Sequence, residues 1–414
     1  MKPRLGTCNS RTVFVIAAAL VLLPQALPAS PKYRILHDFT GGGDGDGNSG
    51  VSLDQQGNLY GLSLGGGTGS CEDGCGLVFQ LVPQAHGKWT QNVLYDFQPG
   101  GDGEYPSGTL AFDARGDIYG TTQYGGAHDG GTVFELKPHA GGWTETVLHS
   151  LCAAPGCGDG WLPRAGVVTD ASGNLYGTAG EVAFELSPGS GRWNETVLHR
   201  FDVRKGDGAL PYAGLILDAS GNLYGTTGYG GNQCGSSTCG TVYELSPESG
   251  GKWKETILHR FRNSKADGAW PGAGALSMDG EGNLYGTTTN GGCCGGVVYE
   301  LTPQPDGRWK ETILYDFLGG AEGWLPDAGV VMDKAGNLYG TTDGGGNASG
   351  CGVLYKLAPT AKGKWKYTVL HTFGNGYDGC LPSGNLAIDS SGNLYGGTIF
   401  GGTSGNGVVF ELTP

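Results

Sequence analysis

The fold is decided by residues 214–261, where one copy of a repeated unit reads GLILDASGNLYGTT (214–227), a glycine-rich loop, and TVYELSPESGGKWKETILHRF (241–261). Four short runs rich in β-branched and aromatic residues alternate with Gly, Pro, Asn and Ser, which is typical of strands joined by tight turns. We name these runs strands a, b, c and d. Because no stretch holds the 3.6-residue period of an amphipathic helix, the unit is predicted to be a four-stranded sheet.

The unit recurs seven times. Its most recognisable part, GNLYG, begins at residues 57, 173, 221, 282, 336 and 392, and the variant GDIYG begins at 116. The Asn or Asp residues of successive motifs lie 48 to 61 positions apart, which is the spacing of propeller blades. The sequence therefore predicts an all-β fold, a seven-bladed β-propeller of four-stranded antiparallel blades.

The two ends of the chain are predicted to meet. The last copy has strands a, b and c and then stops at Pro414 without a strand d. Near the other end, YRILHDF (33–39) matches the strand-d pattern ILHRF (257–261). An N-terminal strand that completes the last blade leaves no open sheet edge. Residues 31–414 are thus expected to form a single propeller, with these blades: 50–97, 108–151, 166–201, 214–261, 274–317, 329–373, and 384–414 plus 32–39.

The first 30 residues have the pattern of a secretory signal peptide. Lys2, Arg4 and Arg11 precede the apolar run 13–23, and small residues and prolines follow. No later segment is apolar enough to suggest a membrane span. Removal of the leader takes away three positive charges and no negative ones, so the formal net charge of −14 becomes −17. An exported, monomeric protein is predicted, and this acidity disfavours nucleic acid as a partner.

One known family shares the repeat. The run GNLYGTT, then a diglycine, then GTVFEL or a close variant before a proline, resembles the Gloeo/Verruco, or GloVer, tandem repeat of exported bacterial proteins. The resemblance extends over essentially the whole chain after the leader. It implies tandem repetition and export from a bacterium, into the periplasm or beyond, and it implies no activity, ligand or cofactor.

Ten cysteines follow the leader, and an even number in an exported chain favours disulfides. A zinc site is the alternative, although the spacings are irregular. The adjacent Cys293 and Cys294 are left unassigned, because neighbouring residues bridge only with strain. The predicted pairs are Cys71 with Cys75, Cys152 with Cys157, Cys234 with Cys239, and Cys351 with Cys380.

Strands a to d of a propeller run outward from the axis, so the d-to-a and b-to-c loops share one face, which we call the loop face. Every d-to-a loop carries an acidic residue followed by glycine, and six continue to a proline. The pattern indicates a stiffened turn, or a ring of carboxylates that could hold a cation or a hydroxyl-rich ligand. The residues are Asp46, Asp102, Asp159, Asp207, Asp267, Glu322 and Asp378.

Aromatic residues break the repeat on this face. Six of the nine tryptophans recur at the start of strand d, which indicates packing. Tyr105, Trp161, Trp270 and Trp324 instead lie in the d-to-a loops and do not recur, so they are candidates for ligand contact or for packing between blades. The third copy also omits the diglycine loop. A shallow groove is predicted there, with Trp161 stacked on the ligand and Asp159 and Asp207 accepting hydrogen bonds.

Catalytic patterns are weak. The Asp-x-x-Gly turns between strands a and b are too short to wrap calcium, and Asp as a turn cap explains them. Five of the eight histidines share one strand-d position and are interpreted as structural. No catalytic residue, metal site or cofactor is predicted. The leading hypothesis is a non-enzymatic binding or scaffold protein whose loop face engages a glycan or a protein. The alternatives are a lyase or hydrolase of extracellular polysaccharide or lactone, and a structural envelope component.

Overall fold

The computed structural model describes residues 30–47, 50–231, 239–272, 274–361 and 363–414. These residues form β-sheets with four short 3₁₀ turns, at Ala85–Gly87, Pro155–Cys157, Val203–Lys205 and Gly320–Glu322. None of the helices in the described ranges has the length and apolar character needed to cross a membrane. The predicted signal peptide, apart from Ser30, lies outside the described residues.

The strands in chain order are as follows. They are β1 Lys32–Asp38, β2 Val51–Leu53, β3 Leu59–Ser63, β4 Leu77–Pro83, β5 Trp89–Asp96, β6 Glu104–Phe112, β7 Ile118–Tyr124, β8 Thr132–His139, β9 Gly142–Ser150, β10 Val168–Thr169, β11 Leu175–Ala179, β12 Val182–Pro188, β13 Trp193–Arg200, β14 Gly208–Ala209, β15 Ile216–Leu217, β16 Leu223–Thr227, β17 Tyr229–Gly230, β18 Thr241–Glu248, β19 Lys252–Arg260, β20 Gly268–Pro271, β21 Ser277–Met278, β22 Leu284–Gly291, β23 Val297–Pro303, β24 Trp309–Asp316, β25 Val331–Met332, β26 Leu338–Thr342, β27 Val353–Pro359, β28 Trp365–Thr372, β29 Cys380–Ile388, β30 Leu394–Phe400 and β31 Val408–Thr413.

Seven blades of four antiparallel strands form a ring, as predicted. Blades 1, 2 and 3 are β2–β5, β6–β9 and β10–β13. Blade 4 is β15, β16, β18 and β19, blade 5 is β21–β24, and blade 6 is β25–β28. Blade 7 combines β29, β30 and β31 with β1. On the loop face, β14 pairs with β17, and β20 pairs with the end of β22, so d-to-a loops are hydrogen-bonded to b-to-c loops.

The N-terminal strand closes the ring, which confirms the prediction made from the orphan strand-d pattern. β1 runs antiparallel to β31, with Tyr33 opposite Leu412 and Ile35 opposite Phe410. The ring of Tyr33 also stacks on His371 of blade 6, with 3.9 Å between the ring centroids. The first strand therefore completes blade 7 and contacts the blade beside it.

The repeated motif is a packing device. Strand b of blade 4, Leu223–Thr227, is buried along its whole length. A Cβ at Gly225 would lie 2.5 Å from the hydroxyl of Tyr243, so only glycine lets the strand-c ring cross strand b. Trp253 at the start of strand d packs on Tyr176 of the preceding blade, with 6.0 Å between centroids. The six repeated tryptophans each join such a cluster between blades, as predicted.

Turn geometry accounts for the repeated Asp-x-x-Gly sequence. In blade 4 the Oδ1 of Asp218 accepts hydrogen bonds from the amides of Ser220 and Asn222. Its Oδ2 accepts from the Asn222 side chain at 2.9 Å and from the Tyr224 hydroxyl at 3.1 Å. Both carboxylate oxygens are therefore engaged by the turn itself.

The structure joins three of the predicted cysteine pairs, Cys71–Cys75, Cys152–Cys157 and Cys351–Cys380. The third pair ties the b-to-c loop of blade 6 to the start of blade 7. Cys234 lies outside the described residues, so its pairing with Cys239 stays a prediction. Cys293 and Cys294 are exposed free thiols.

Candidate functional site

Exposed apolar side chains are concentrated on the loop face. Of the ten large hydrophobic residues that are exposed within the described ranges, eight lie in d-to-a or b-to-c connections or at the strand ends entering them. Exposed hydrophobic residues that are scattered singly over a surface are ordinary, so it is the concentration of these residues on one face that distinguishes it. The eight residues are Tyr124, Trp161, Val203, Trp270, Leu318, Trp324, Tyr377 and Phe400.

The four predicted aromatic residues lie at seams between d-to-a and b-to-c loops. Tyr105 contacts the edge of Tyr124 at 5.9 Å, and Trp270 contacts Tyr229 at 5.8 Å. Both precede a proline and have a positive φ of 56°. They belong to separate seams around the ring, as do Trp161 and Trp324, so the structure does not gather the four into one cluster.

Trp161 lies beside the shortened loop of blade 3. β11 and β12 are joined by Gly180 and Glu181 alone. A Cβ at Gly180 would lie 2.5 Å from the indole nitrogen of Trp161, so the ring rests directly on this turn. The side chain stays 45% exposed. The indole therefore covers the gap left by the missing loop and presents its outer surface to solvent.

The predicted acidic residues are engaged within the protein. Each of the six that follow strands d of blades 1 to 6 is hydrogen-bonded to the His or Tyr at the shared strand-d position. The pairs are Asp102 with Tyr95, Asp159 with His149, Asp207 with His199, Asp267 with His259, Glu322 with Tyr315, and Asp378 with His371. The interpretation of the strand-d histidines as structural agrees with these contacts.

The first loop departs from the predicted alignment. There the strand-d histidine, His37, contacts Asp44 at 3.4 Å, and Asp44 also accepts a hydrogen bond from the Thr40 amide. Asp46, which the Asp-Gly pattern selects, instead forms a backbone bridge to Gly65. In this loop the carboxylate that contacts the strand-d histidine therefore belongs to Asp44, four residues after Thr40.

Hydrogen bonds hold these carboxylates in their loops. Burial alone raises the pKa of Asp159, but hydrogen bonds from the Ala154 and Ala153 amides and from His149 outweigh it, so the pKa is lowered. The charged side chain, buried with its acceptors occupied, stiffens the turn. These contacts favour the turn interpretation, and direct contact between Asp159 or Asp207 and a ligand stays a prediction.

A central cavity of about 270 Å³ opens where all seven blades meet. Its lining comes from the residues that follow the loop prolines and from the ends of strands b. Small residues such as Gly166 and Gly274 bring the innermost backbones together there. The polar and charged lining includes Ser107, Gln123, Arg164, Asp327, Asp343 and Asn385.

None of these residues is among the candidates predicted from the sequence, although a signal for them exists. The predicted acidic and aromatic candidates of blades 2 to 7 precede the loop prolines, whereas part of the cavity lining follows those prolines. The residue directly after the proline differs in nearly every blade: Ser107, Arg164, Tyr212, Gly272, Asp327 and Ser383. Variation at one fixed position of an otherwise regular repeat is what a single site on a ring requires.

Opposite charges line this cavity. The Arg164 guanidinium lies 4.6 Å from the ring centroid of Tyr212, a cation–π contact, and within the described ranges no carboxylate lies within 4.0 Å of it. Burial, and then the charge of Asp327, raise the pKa of Asp343 to about 7. The cavity thus offers a cation without a carboxylate partner and a carboxyl group that is partly protonated at neutral pH.

Asn385 makes the cavity wall rigid. Its side-chain oxygen accepts a hydrogen bond from the amide of Gly329 at 3.0 Å, and its NH₂ group donates to the carbonyl of Ala275 at 3.5 Å. A residue of blade 7 thereby holds the inner strands of blades 5 and 6. A preformed wall lowers the ordering cost of binding.

Comparison with known proteins supports the repeat and the fold. A family model described as the Gloeobacter/Verrucomicrobia repeat matches residues 23–234, 159–295 and 232–414. No curated protein matches the sequence. The fold is similar to that of PorZ, an essential surface component of the type-IX secretion system of Porphyromonas gingivalis, with 17% identity and a TM-score of 0.53 over 87% of this chain. This chain covers 46% of PorZ.

A second solved structure has lower similarity. The gluconolactonase XC5397 of Xanthomonas campestris is 17% identical over 74% of this chain and 85% of its own, with a TM-score of 0.42.

Proposed function

The chain belongs to the Gloeobacter/Verrucomicrobia repeat family, and from this premise we propose that it is an exported, non-enzymatic binding propeller whose loop face engages a glycan. The observation that carries the proposal is the segregation of exposed aromatic rings to that face. Export is supported by the three disulfides, which persist in oxidising compartments.

Exposed indole rings are suited to sugars. Trp161, Trp270 and Trp324 are 43 to 45% exposed, so each has a surface available for stacking while the rest of the ring is packed. The backbones of Trp270 and Trp324 are held by hydrogen bonds to neighbouring loops, from Trp270 N–H to the Cys239 carbonyl at 2.9 Å and from Trp324 N–H to the Gly344 carbonyl at 3.0 Å. Next to Trp161, the Leu162 amide donates to the Gly130 carbonyl at 2.8 Å. Rings fixed in this way stack on the apolar faces of a sugar with little loss of conformational entropy.

The central cavity supplies the polar part of recognition. Hydroxyl, amide, guanidinium and carboxyl groups all belong to the lining of this space of about 270 Å³. A few convergent polar groups beside aromatic surface are the usual composition of a ligand site. We infer that a terminal sugar enters the cavity while the rest of the chain crosses the aromatic rings.

A hydrolase or lyase acting on extracellular polysaccharide or lactone is the second candidate. One observation favours it: the raised pKa of Asp343, next to the carboxylate of Asp327 in the same cavity. A carboxyl group with a raised pKa beside a second carboxyl group is a common arrangement for an acid and base pair. This candidate requires that the bound glycan be cleaved.

A glycan array probed with the mature protein, residues 31–414, tests the proposal. With the best glycan, Trp161→Ala is expected to weaken binding by about 1–3 kcal/mol, because truncation of a well-packed aromatic contact has this effect. Val93→Ala is the matched control, because Val93 is 43% exposed on an outer strand away from the loop face. Thermal melting of both variants verifies that the ring is folded.

Three outcomes separate the candidates. Absence of any glycan binding would reject the proposal and favour a protein ligand or a structural envelope role. Equal loss of affinity in Trp161→Ala and Val93→Ala would move the site off the loop face. Release of reducing or unsaturated sugar, abolished by Asp343→Asn, would establish the enzymatic candidate.

A further inference from the structure

Two clusters of metal-ligand type lie at the outer rim of the ring, away from the central cavity. In the first, His199 of β13 and Glu255 of β19 come from adjacent blades, and Asp207 lies in the loop between these blades. Nε2 of His199 is 2.9 Å from an Asp207 oxygen and 3.7 Å from a Glu255 oxygen. One ligand atom from each of the three residues lies within 4.8 Å of the others.

The second cluster repeats the first one blade further on. It consists of His259, Asp267 and Glu311, and Nε2 of His259 is 3.2 Å from Asp267 and 3.7 Å from Glu311. Asp267 is buried, like Asp207 of the first cluster. The same three residue types in the same arrangement thus occur twice, at consecutive blade interfaces.

Each cluster has a buried oxygen without a hydrogen-bond partner. Oε1 of Glu255 and Oε1 of Glu311 are shielded from solvent and accept no hydrogen bond. The same is true of Glu145 and Glu195 at this strand-d position, but only Glu255 and Glu311 have a histidine nitrogen 3.7 Å away. A buried carboxylate oxygen without a partner is costly. In each cluster the ligand atoms of the histidine, the loop aspartate and the glutamate lie close enough together to surround one ion. A cation bound between these residues would supply the missing partner.

We propose that the two His-Asp-Glu clusters each bind one divalent transition-metal ion, with Zn²⁺ as the ion that fits best. An imidazole with two carboxylates is a donor set that zinc accepts, whereas calcium prefers oxygen ligands alone. Tetrahedral bonds of about 2.0 Å place zinc ligands roughly 3.3 Å apart. The His-to-carboxylate separations of 2.9 to 3.7 Å bracket that spacing. The ion would pin adjacent blades together, independently of any glycan bound at the loop face.

Sister blades provide substitutions that leave the interface intact. At the histidine position Tyr95 and Tyr315 occur naturally, and each donates a hydrogen bond to its loop carboxylate at 2.7 Å. A tyrosine at residue 199 or 259 therefore keeps the loop contact and removes the nitrogen ligand. The set His149, Asp159 and Glu195 has the same residue types, but no oxygen of Glu195 lies within 4.0 Å of the His149 ring nitrogens among the described contacts.

Zinc titration of the mature protein tests the proposal. Cys293→Ser and Cys294→Ser are introduced first, because two free thiols bind zinc themselves. After EDTA treatment and dialysis, isothermal titration with ZnCl₂ is expected to give two sites per chain. His199→Tyr and His259→Tyr should each reduce this to one, and both together to none. His149→Tyr is the matched control and should leave two.

The same experiment can overturn the proposal. No zinc uptake, or a stoichiometry that the histidine variants leave unchanged, would refute it. If a tyrosine variant does not fold, as judged by circular dichroism, Glu255→Gln and Glu311→Gln replace it, because Gln91 occupies the corresponding position of blade 1. A titration with CaCl₂ that binds as tightly as ZnCl₂ would also contradict the assigned ion class.

Discussion

Replacing Tyr299 by phenylalanine should stabilise the propeller. The ring of Tyr299 is fully buried in strand c of blade 5, and its hydroxyl has no hydrogen-bond partner. The same holds for Tyr243 and Tyr355 in the two adjacent blades. The remaining four blades carry phenylalanine at this position, each completely buried: Phe79, Phe134, Phe184 and Phe410. The fold therefore already accepts the variant side chain.

The expected magnitude follows from two opposing effects. A buried hydroxyl without a partner costs about 1–3 kcal/mol. Removal of one oxygen leaves a void of roughly 15 Å³, which costs about 0.4 kcal/mol. Tyr299→Phe should therefore raise the free energy of unfolding by about 1 kcal/mol. The triple variant, with residues 243 and 355 also changed, should gain about 3 kcal/mol, because the three sites lie in different blades.

Urea denaturation at pH 7 provides the assay, with the midpoint expected to rise at a constant m-value. Tyr224→Phe is the control, because the Tyr224 hydroxyl donates to Asp218 at 3.1 Å and its removal should destabilise the protein by about 1 kcal/mol. If Tyr299→Phe lowers stability as Tyr224→Phe does, the hydroxyl has a partner such as a buried water, and the reasoning is refuted.

Two further predictions concern ring closure and pH. Deletion of residues 31–39 removes β1 and exposes the edge of β31, so aggregation and loss of cooperative unfolding are expected; a soluble truncation with an unchanged melting temperature would contradict this. Burial and the adjacent loop carboxylates raise the pKa of Glu255 to about 8 and that of Glu311 to about 7, despite His259 beside the latter. Stability from their protonated forms is complete below about pH 4.5 and is lost as pH rises through 7 to 8. With EDTA present to remove metal ions, the melting temperature should fall less between pH 5.5 and 8.5 in the Glu255→Gln, Glu311→Gln double variant than in the unmodified protein. The same pH profile in both proteins would contradict the raised pKa values of the two glutamates.

The architecture could be predicted from the sequence because each blade is a contiguous segment that contains its own strand and turn residues, except that blade 7 takes its last strand from the N-terminal segment. Three features that involve residues close together in the sequence indicated the fold. They are the alternation of strand and turn residues, the GNLYG spacing and the unpaired strand-d pattern near residue 33. The disulfides Cys71–Cys75 and Cys152–Cys157 were predictable for the same reason, since their partners lie four and five residues apart.

The sites were decided by tertiary structure, because a ring brings distant residues together. Arg164 and Asp343 face one cavity although 179 positions separate them in the chain, and no linear pattern connects them. His199 meets Glu255 only because strands d of adjacent blades lie side by side. The identity of the first loop acid was also decided by tertiary structure, because the side chain that contacts the strand-d histidine is that of Asp44, whereas the Asp-Gly pattern selects Asp46. Local sequence determines the strands and turns of each blade, and closure of the ring determines which side chains of different blades come into contact.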